Sequence, residues 1–101
     1  MRLPVIERDA YTVYLQPYKE EEQLRHFIHC DIHTTWTKTV KQQLQQDFNT
    51  FCSLHKQPLY TLSYTSDNKH HKFLVMFGFK LHKEMPLRNG RVMLLYIKQG
   101  Y

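Results

Sequence analysis

The sequence predicts a mixed α/β (α+β) domain: a sheet of about five strands with two helices, in the order β-hairpin, long helix, strand, short helix, β-hairpin. Three observations predict it. Apolar residues recur at three- and four-residue steps between positions 36 and 55. Segments rich in β-formers lie on both sides of that stretch. An Asn89-Gly90 pair sits between two further apolar runs. With 101 residues, the chain is read as one domain over 1–101, with 1–10 an irregular N-terminal segment.

The first hairpin comes from Tyr11 to Tyr18 and from Leu24 to Ile32. Both alternate, and the charged stretch 19–23 between them suits an exposed connection. The long helix follows from Trp36, Val40, Leu44, Phe48, Phe51 and His55 on one side and a glutamine-rich opposite side. Thr34 or Thr35 is the expected N-cap, since a threonine hydroxyl accepts an orphan backbone N–H. Pro58 marks the stop. Leu59 to Tyr64 reads as a strand. Ser66, Asp67 and Asn68 offer caps for a short helix with His70, Phe73, Leu74 and Phe77 on its apolar side. Gly78 stands where a left-handed residue closes such a helix.

Asn89-Gly90 predicts a two-residue type I′ turn, pairing Leu87 with Val92 and Met85 with Leu94. Residues 92–97 are apolar on both faces, which predicts an inner strand with 79–87 at the edge. The strand at 11–18 is the other expected edge, open to pairing with a second chain, including another copy of this one.

Composition narrows the functions. A hydrophobic fraction of 42% and an aromatic fraction of 14% exclude a disordered tail. No apolar run is long enough to span a membrane, and the charged N-terminus lacks a signal core. The expected location is therefore the interior of the cell that makes it. Cys30 and Cys52 form no metal-type pair and read as buried small hydrophobes. A net charge of +5 suits acidic partners. Nucleic acid is one such class, with Lys38, Lys41, Lys69, Lys72, Lys80, Lys83, Arg88 and Arg91 between tyrosines, although ribonucleoprotein-type stacking motifs are absent.

One constellation has metal-ligand chemistry. His29, Asp31 and His33 alternate along a strand and so share a face. Residues i and i+4 lie about 13 Å apart on an extended chain, so the strand must curl before both imidazoles reach one ion. A solvent-facing strand end accounts for the same residues. Metal is therefore not the expected cofactor.

The segment Asp67-Asn68-Lys69-His70-His71-Lys72-Phe73-Leu74-Val75-Met76-Phe77-Gly78-Phe79 resembles the short helix of GNAT-fold acyltransferases. It is similar to a segment common in phage-encoded GNAT-like proteins, among them a small internal virion protein of short-tailed phages. The order of elements from about residue 25 to 98 is similar to the C-terminal half of that fold. The resemblance implies a cofactor, acetyl-CoA, held by a glycine-bearing loop before the long helix, where backbone N–H groups meet pyrophosphate. That loop is His33-Thr34-Thr35-Trp36-Thr37-Lys38 here and has no glycine. Thr34, Thr35 and Asn68 are the candidate cofactor-binding remnants. Many family enzymes protonate the leaving thiolate with a tyrosine four residues before the helix-closing glycine. Leu74 holds that position, and leucine transfers no proton.

The expectation is thus a shortened, non-catalytic GNAT-like protein of phage type. By the same resemblance it would lie in a host cytoplasm or a virion and act on another protein, host or phage, with no catalytic residues and no bound cofactor. Acetyl-CoA-dependent N-acetyl transfer is the enzymatic alternative, and nucleic-acid binding the third.

Overall fold

A computed structural model describes residues 1–64 and 68–99. Six strands form one mixed sheet, and two helices pack on it. The strands are β1 (Leu3–Glu7), β2 (Tyr11–Glu20), β3 (Gln23–Ile32), β4 (Leu59–Tyr64), β5 (Lys80–Pro86) and β6 (Val92–Lys98). The helices are α1 (Lys38–His55) and α2 (Asn68–Met76). Strand order across the sheet is β1-β2-β3-β4-β6-β5. The mixed α+β class, the two helices and the order of the later elements are as the sequence predicts.

The N-terminal segment corrects the reading. Leu3–Glu7 is a strand rather than irregular, antiparallel to β2. Val5 and Ile6 pack against the core, and Pro4 is tolerated because an edge strand does not need every N–H. The strand expected at the edge, β2, therefore lies second, covered by β1. The edges are β1 and β5. The self-association reasoned from a bare strand at 11–18 loses that edge.

β6 lies between β4 and β5, as its double-sided apolar run requires. Leu94 and Tyr96 point to one face and Leu95 to the other, and all three are buried.

The two hairpins reverse the expectation about turns. Glu21 and Glu22 both take positive φ, 49° and 68°, between the paired residues Glu20 and Gln23. That is the two-residue turn with two left-handed residues, placed where no glycine stands. At Asn89-Gly90 only Gly90 has positive φ. Gly90 N–H donates to the Leu87 carbonyl and Leu87 N–H to that of Arg91. Arg91 N–H donates to Asn89 Oδ1. The loop is thus longer than two residues, and the register is Met85 to Met93 and Pro86 to Val92, one residue from the expected pairing.

Helix α1 begins later than expected. Its N-cap is Thr37, whose Oγ1 accepts from Val40 N–H at 3.2 Å. Thr34 and Thr35 lie in the exposed loop ahead of it and cap nothing. Trp36 also precedes the helix. At the other end Lys56 takes a left-handed conformation, φ 55°, and its N–H donates to the Cys52 carbonyl. α2 closes on Gly78, φ +91°, with Phe79 N–H bonded to Leu74 O and Gly78 N–H to Val75 O. These are the two bonds of a Schellman ending. Asn68 is the first helical residue, and the caps expected at Ser66 and Asp67 lie outside the described residues.

Both helices lie on one face of the sheet. Leu44, Phe48 and Cys52 of α1 and Leu74 of α2 share a single core with Tyr11, Val13, Ile28, Leu59, Leu94 and Tyr96. Phe48 sits at its centre, 5.8 Å from the Phe77 ring and 5.9 Å from Phe79. An ionic clasp ties α1 to the N-terminal hairpin. Arg8 grips Asp47 with two hydrogen bonds of 2.9 and 3.0 Å, and the buried Tyr11 hydroxyl donates to the same carboxylate at 2.6 Å.

Candidate functional site: a wedge between parting strands

Strands β3 and β4 are the parallel neighbours in the sheet, and their ladder is short. His26 pairs with Leu59 and Phe27 with Tyr60, and beyond these the recorded pairing stops. β3 nevertheless runs on to Ile32 and β4 to Tyr64. Their facing backbone groups past this point have no ladder partner in each other. A cavity of about 540 Å³ occupies the opening. Ile28 and Cys30 form one wall, Thr61 and Leu62 the other, and Phe48 and Leu74 the side under the helices.

A second hollow of about 420 Å³ adjoins it, and Ile32, Lys69 and Phe73 line both. Lys41 of α1 and Lys69 and Lys72 of α2 surround this second hollow. The Trp36 ring stands 5.5 Å from Phe73 at the same place. An apolar slot thus runs into a cationic mouth. Such a pair of sites fits a ligand with an extended neutral arm and an anionic end.

The sequence-stated candidates separate on inspection. Thr34 and Thr35 are exposed and line neither hollow, and the same holds for Asn68. The glycine-free loop before α1 brings its Trp36 to the mouth, and the cations there come from within the helices. Leu74 is buried in the wedge wall.

His29 and Asp31 line the wedge from the side away from the helices, while His33 does not. His29 Nε2 donates to Gln16 Oε1 at 2.9 Å, and His33 Nε2 is hydrogen-bonded to Thr12 Oγ1 at 2.8 Å. Each imidazole is held by β2, so the three residues do not converge. Among the described residues no three His, Cys, Asp or Glu side chains gather around a common point. Burial holds the His29 pKa below its ordinary value, with nearby Arg2 adding to the effect.

Burial pushes the Cys30 thiol up to about 11 and raises that of Cys52 as well. Both therefore stay protonated at neutral pH and pack as small apolar groups. Two polar pairs escaped the sequence reading. His70 Nδ1 meets Ser63 Oγ at 2.8 Å, and His71 Nδ1 meets the Tyr96 hydroxyl. His70 also lines the wedge, one helical turn before Leu74. Its position on the apolar side of α2 was legible, but its partner on β4 was not. The lysine mouth was equally hidden, because Lys41 lies far from Lys69 and Lys72 in sequence. No described helix is long and apolar enough to cross a membrane.

The sequence matches no protein-family model and no curated protein. Solved structures do match. A chain of the NatC complex, solved bound to Gag peptide and CoA, aligns with a TM-score of 0.62 and 12% identity over 89% of this chain. The alignment covers 60% of that NatC chain. Two forms of the spermidine N-acetyltransferase SpeG from Vibrio cholerae align with TM-scores of 0.57 and 8% identity. One is a chimera with hSSAT and the other an F149A mutant. They cover 90% and 91% of this chain and 68% and 67% of their own. The fold is therefore GNAT-like, shortened relative to these acetyltransferases.

Proposed function

We propose that the chain is a binding protein on a GNAT-like frame, whose wedge takes an acyl-CoA-type ligand and whose output is an interaction rather than acyl transfer. The observation that carries this reading is the apolar slot between β3 and β4 opening onto Lys41, Lys69 and Lys72. The unladdered backbone groups suit an amide-containing arm, since buried N–H and C=O groups need partners. Ammonium groups at the mouth suit phosphates. The NatC neighbour was solved with CoA, which makes that ligand the first to test.

Leu74 favours binding without transfer, because it stands where many family enzymes carry a proton-donating tyrosine. The resemblance of the α2 segment to phage GNAT-like proteins makes a protein of a host cell or of a virion the class of partner to search first. One observation favours the enzymatic alternative. His70 lines the wedge beside Leu74 and is able to carry a proton.

Thermal unfolding with and without millimolar acetyl-CoA tests the reading. A ligand at a hundredfold excess over its Kd stabilises the folded state by about 2.7 kcal/mol. The expected result is a clear upward shift that is lost in Lys69→Ala/Lys72→Ala. No shift with acetyl-CoA or CoA sinks the ligand assignment. Release of free thiol in the presence of spermidine or peptide amines, abolished by His70→Ala, would replace the non-catalytic reading with acetyl transfer.

A further inference from the structure

The face of the sheet opposite the helices carries its own chemistry. Alternation and register place Tyr14, Tyr18, Phe27, Tyr60 and Tyr64 on it. Tyr18, Phe27 and Tyr60 form a chain of ring contacts across β2, β3 and β4, at 6.3 and 5.8 Å. Tyr18 and Tyr64 are 52% and 38% exposed, so a flat partner can reach them. Two arginines lie on these rings: Arg25 over Tyr60 at 5.3 Å and Arg91 over Tyr64 at 5.1 Å. Arg25 Nε is buried there without a hydrogen-bond partner.

Charge on this face is lopsided. Lys80 and Lys83 are in register with Ile97 and Leu95, which places them on this face along the β5 edge, in the rows of Tyr60 and Leu62. Glu7 and Asp31 are also on this face by register, in one row with Thr12, and that row ends level with Tyr64 across the parting of β3 from β4. Neither helix reaches this side, since both pack into the core on the other face.

We infer that this helix-free face binds single-stranded nucleic acid. Bases stack on exposed tyrosine rings and on arginine planes, and phosphates take the outward cations. A twisted sheet offers no rod or ribbon for a duplex groove, so separated strands fit better than paired ones. A second copy of this chain fits poorly, because each copy carries a net charge of +5 and would present the same cations. The proposal is independent of acyl-CoA binding, whose lysines lie at the helix-side mouth.

The test is fluorescence anisotropy of labelled fifteen-residue oligodeoxythymidine and oligouridine across a salt series. Tyr18→Ala and Arg91→Ala are expected to weaken binding by roughly tenfold each. Arg91→Ala should also flatten the salt dependence by about one phosphate contact. Melting curves establish that both exposed-site variants fold. Lys41→Ala/Lys72→Ala on the helix side should leave oligonucleotide affinity within about twofold. The proposal is overturned by unchanged affinity in the face variants, or by a loss that follows Lys41 and Lys72. It is equally overturned if polyglutamate binds as tightly and displaces the oligonucleotide, which would assign the face to an acidic protein.

Discussion

The two faces of one sheet differ in how they are satisfied. On the helix-covered face, α1 and α2 close over Tyr11, Val13, Leu59 and Tyr96, each no more than 1% exposed. On the other face the rings cover one another. Tyr60 is buried against Phe27 and under Arg25, while Tyr18 and Tyr64 remain open. The same strands supply both faces by alternation, so strand propensity does not separate them. What separates them is the side on which the helical connections pack. Stability should therefore reside on the covered face and recognition on the open one.

Four measurements break or sharpen that contrast. Phe48→Ala should be the most damaging, at about 3–5 kcal/mol, because it empties the contact between α1 and Phe77 and Phe79. Denaturant melts measure this, and a loss under about 1 kcal/mol would mean that the helices contribute little. Asp47→Ala should cost about 1–3 kcal/mol, since the buried Tyr11 hydroxyl loses its acceptor. A silent Asp47→Ala would show that the clasp is ornamental.

Acid should loosen the covered face in two steps. Burial and His26 hold the His55 pKa below 6.5, where it shares a 2.9 Å hydrogen bond with His26. The folded state thus binds fewer protons at this group than the unfolded chain. Its contribution is present above pH 6.5 and is lost as pH falls from there. His29, on the open side of the sheet and shifted the same way, adds a loss of stability in this window. The Arg8 hydrogen bonds lower the Asp47 pKa, so its contribution is present above 3.8 and lost on further acidification. Melting temperature against pH should show both steps, and His55→Asn should flatten the first. The smallest effect belongs to Tyr64→Ala on the open face, within about 0.5 kcal/mol of stability. A loss several times larger would mean that the open face is a second core.

Much of the fold was legible. The spacing of Leu44, Phe48 and Phe51 specified α1, and the double-sided run at 92–97 specified an inner strand. Gly78 marked the end of α2 because a left-handed residue closes a Schellman ending. The turns were less legible. Asn89-Gly90 signalled a two-residue loop, yet the left-handed pair falls on Glu21 and Glu22. The β2–β3 ladder runs without a break from Tyr11–Ile32 to Glu20–Gln23. Keeping Val13 and Ile28 on the core face fixes that register, and the turn residues comply. At the other hairpin a break between Leu81 and Lys83 absorbs one residue, so Asn89 need not leave its ordinary φ. β1 was missed because Pro4 and the charged flanks mask a short strand whose pairing partner supplies its stability.

For the candidate site, the sequence determined residue types and local spacing: a leucine at position 74, a loop without glycine before α1, and His29, Asp31 and His33 at alternate positions from the end of β3 onward. Periodicity fixes which side of its own element a residue occupies. Only the tertiary structure decided which elements meet. The parting of β3 from β4, the gathering of Lys41 with Lys69 and Lys72, and the withdrawal of His29 and His33 to partners on β2 all depend on contacts between distant segments. The physical reason is that one buried core selects a single arrangement of helices over the sheet. That choice sets at once where the cavity opens and which face stays bare.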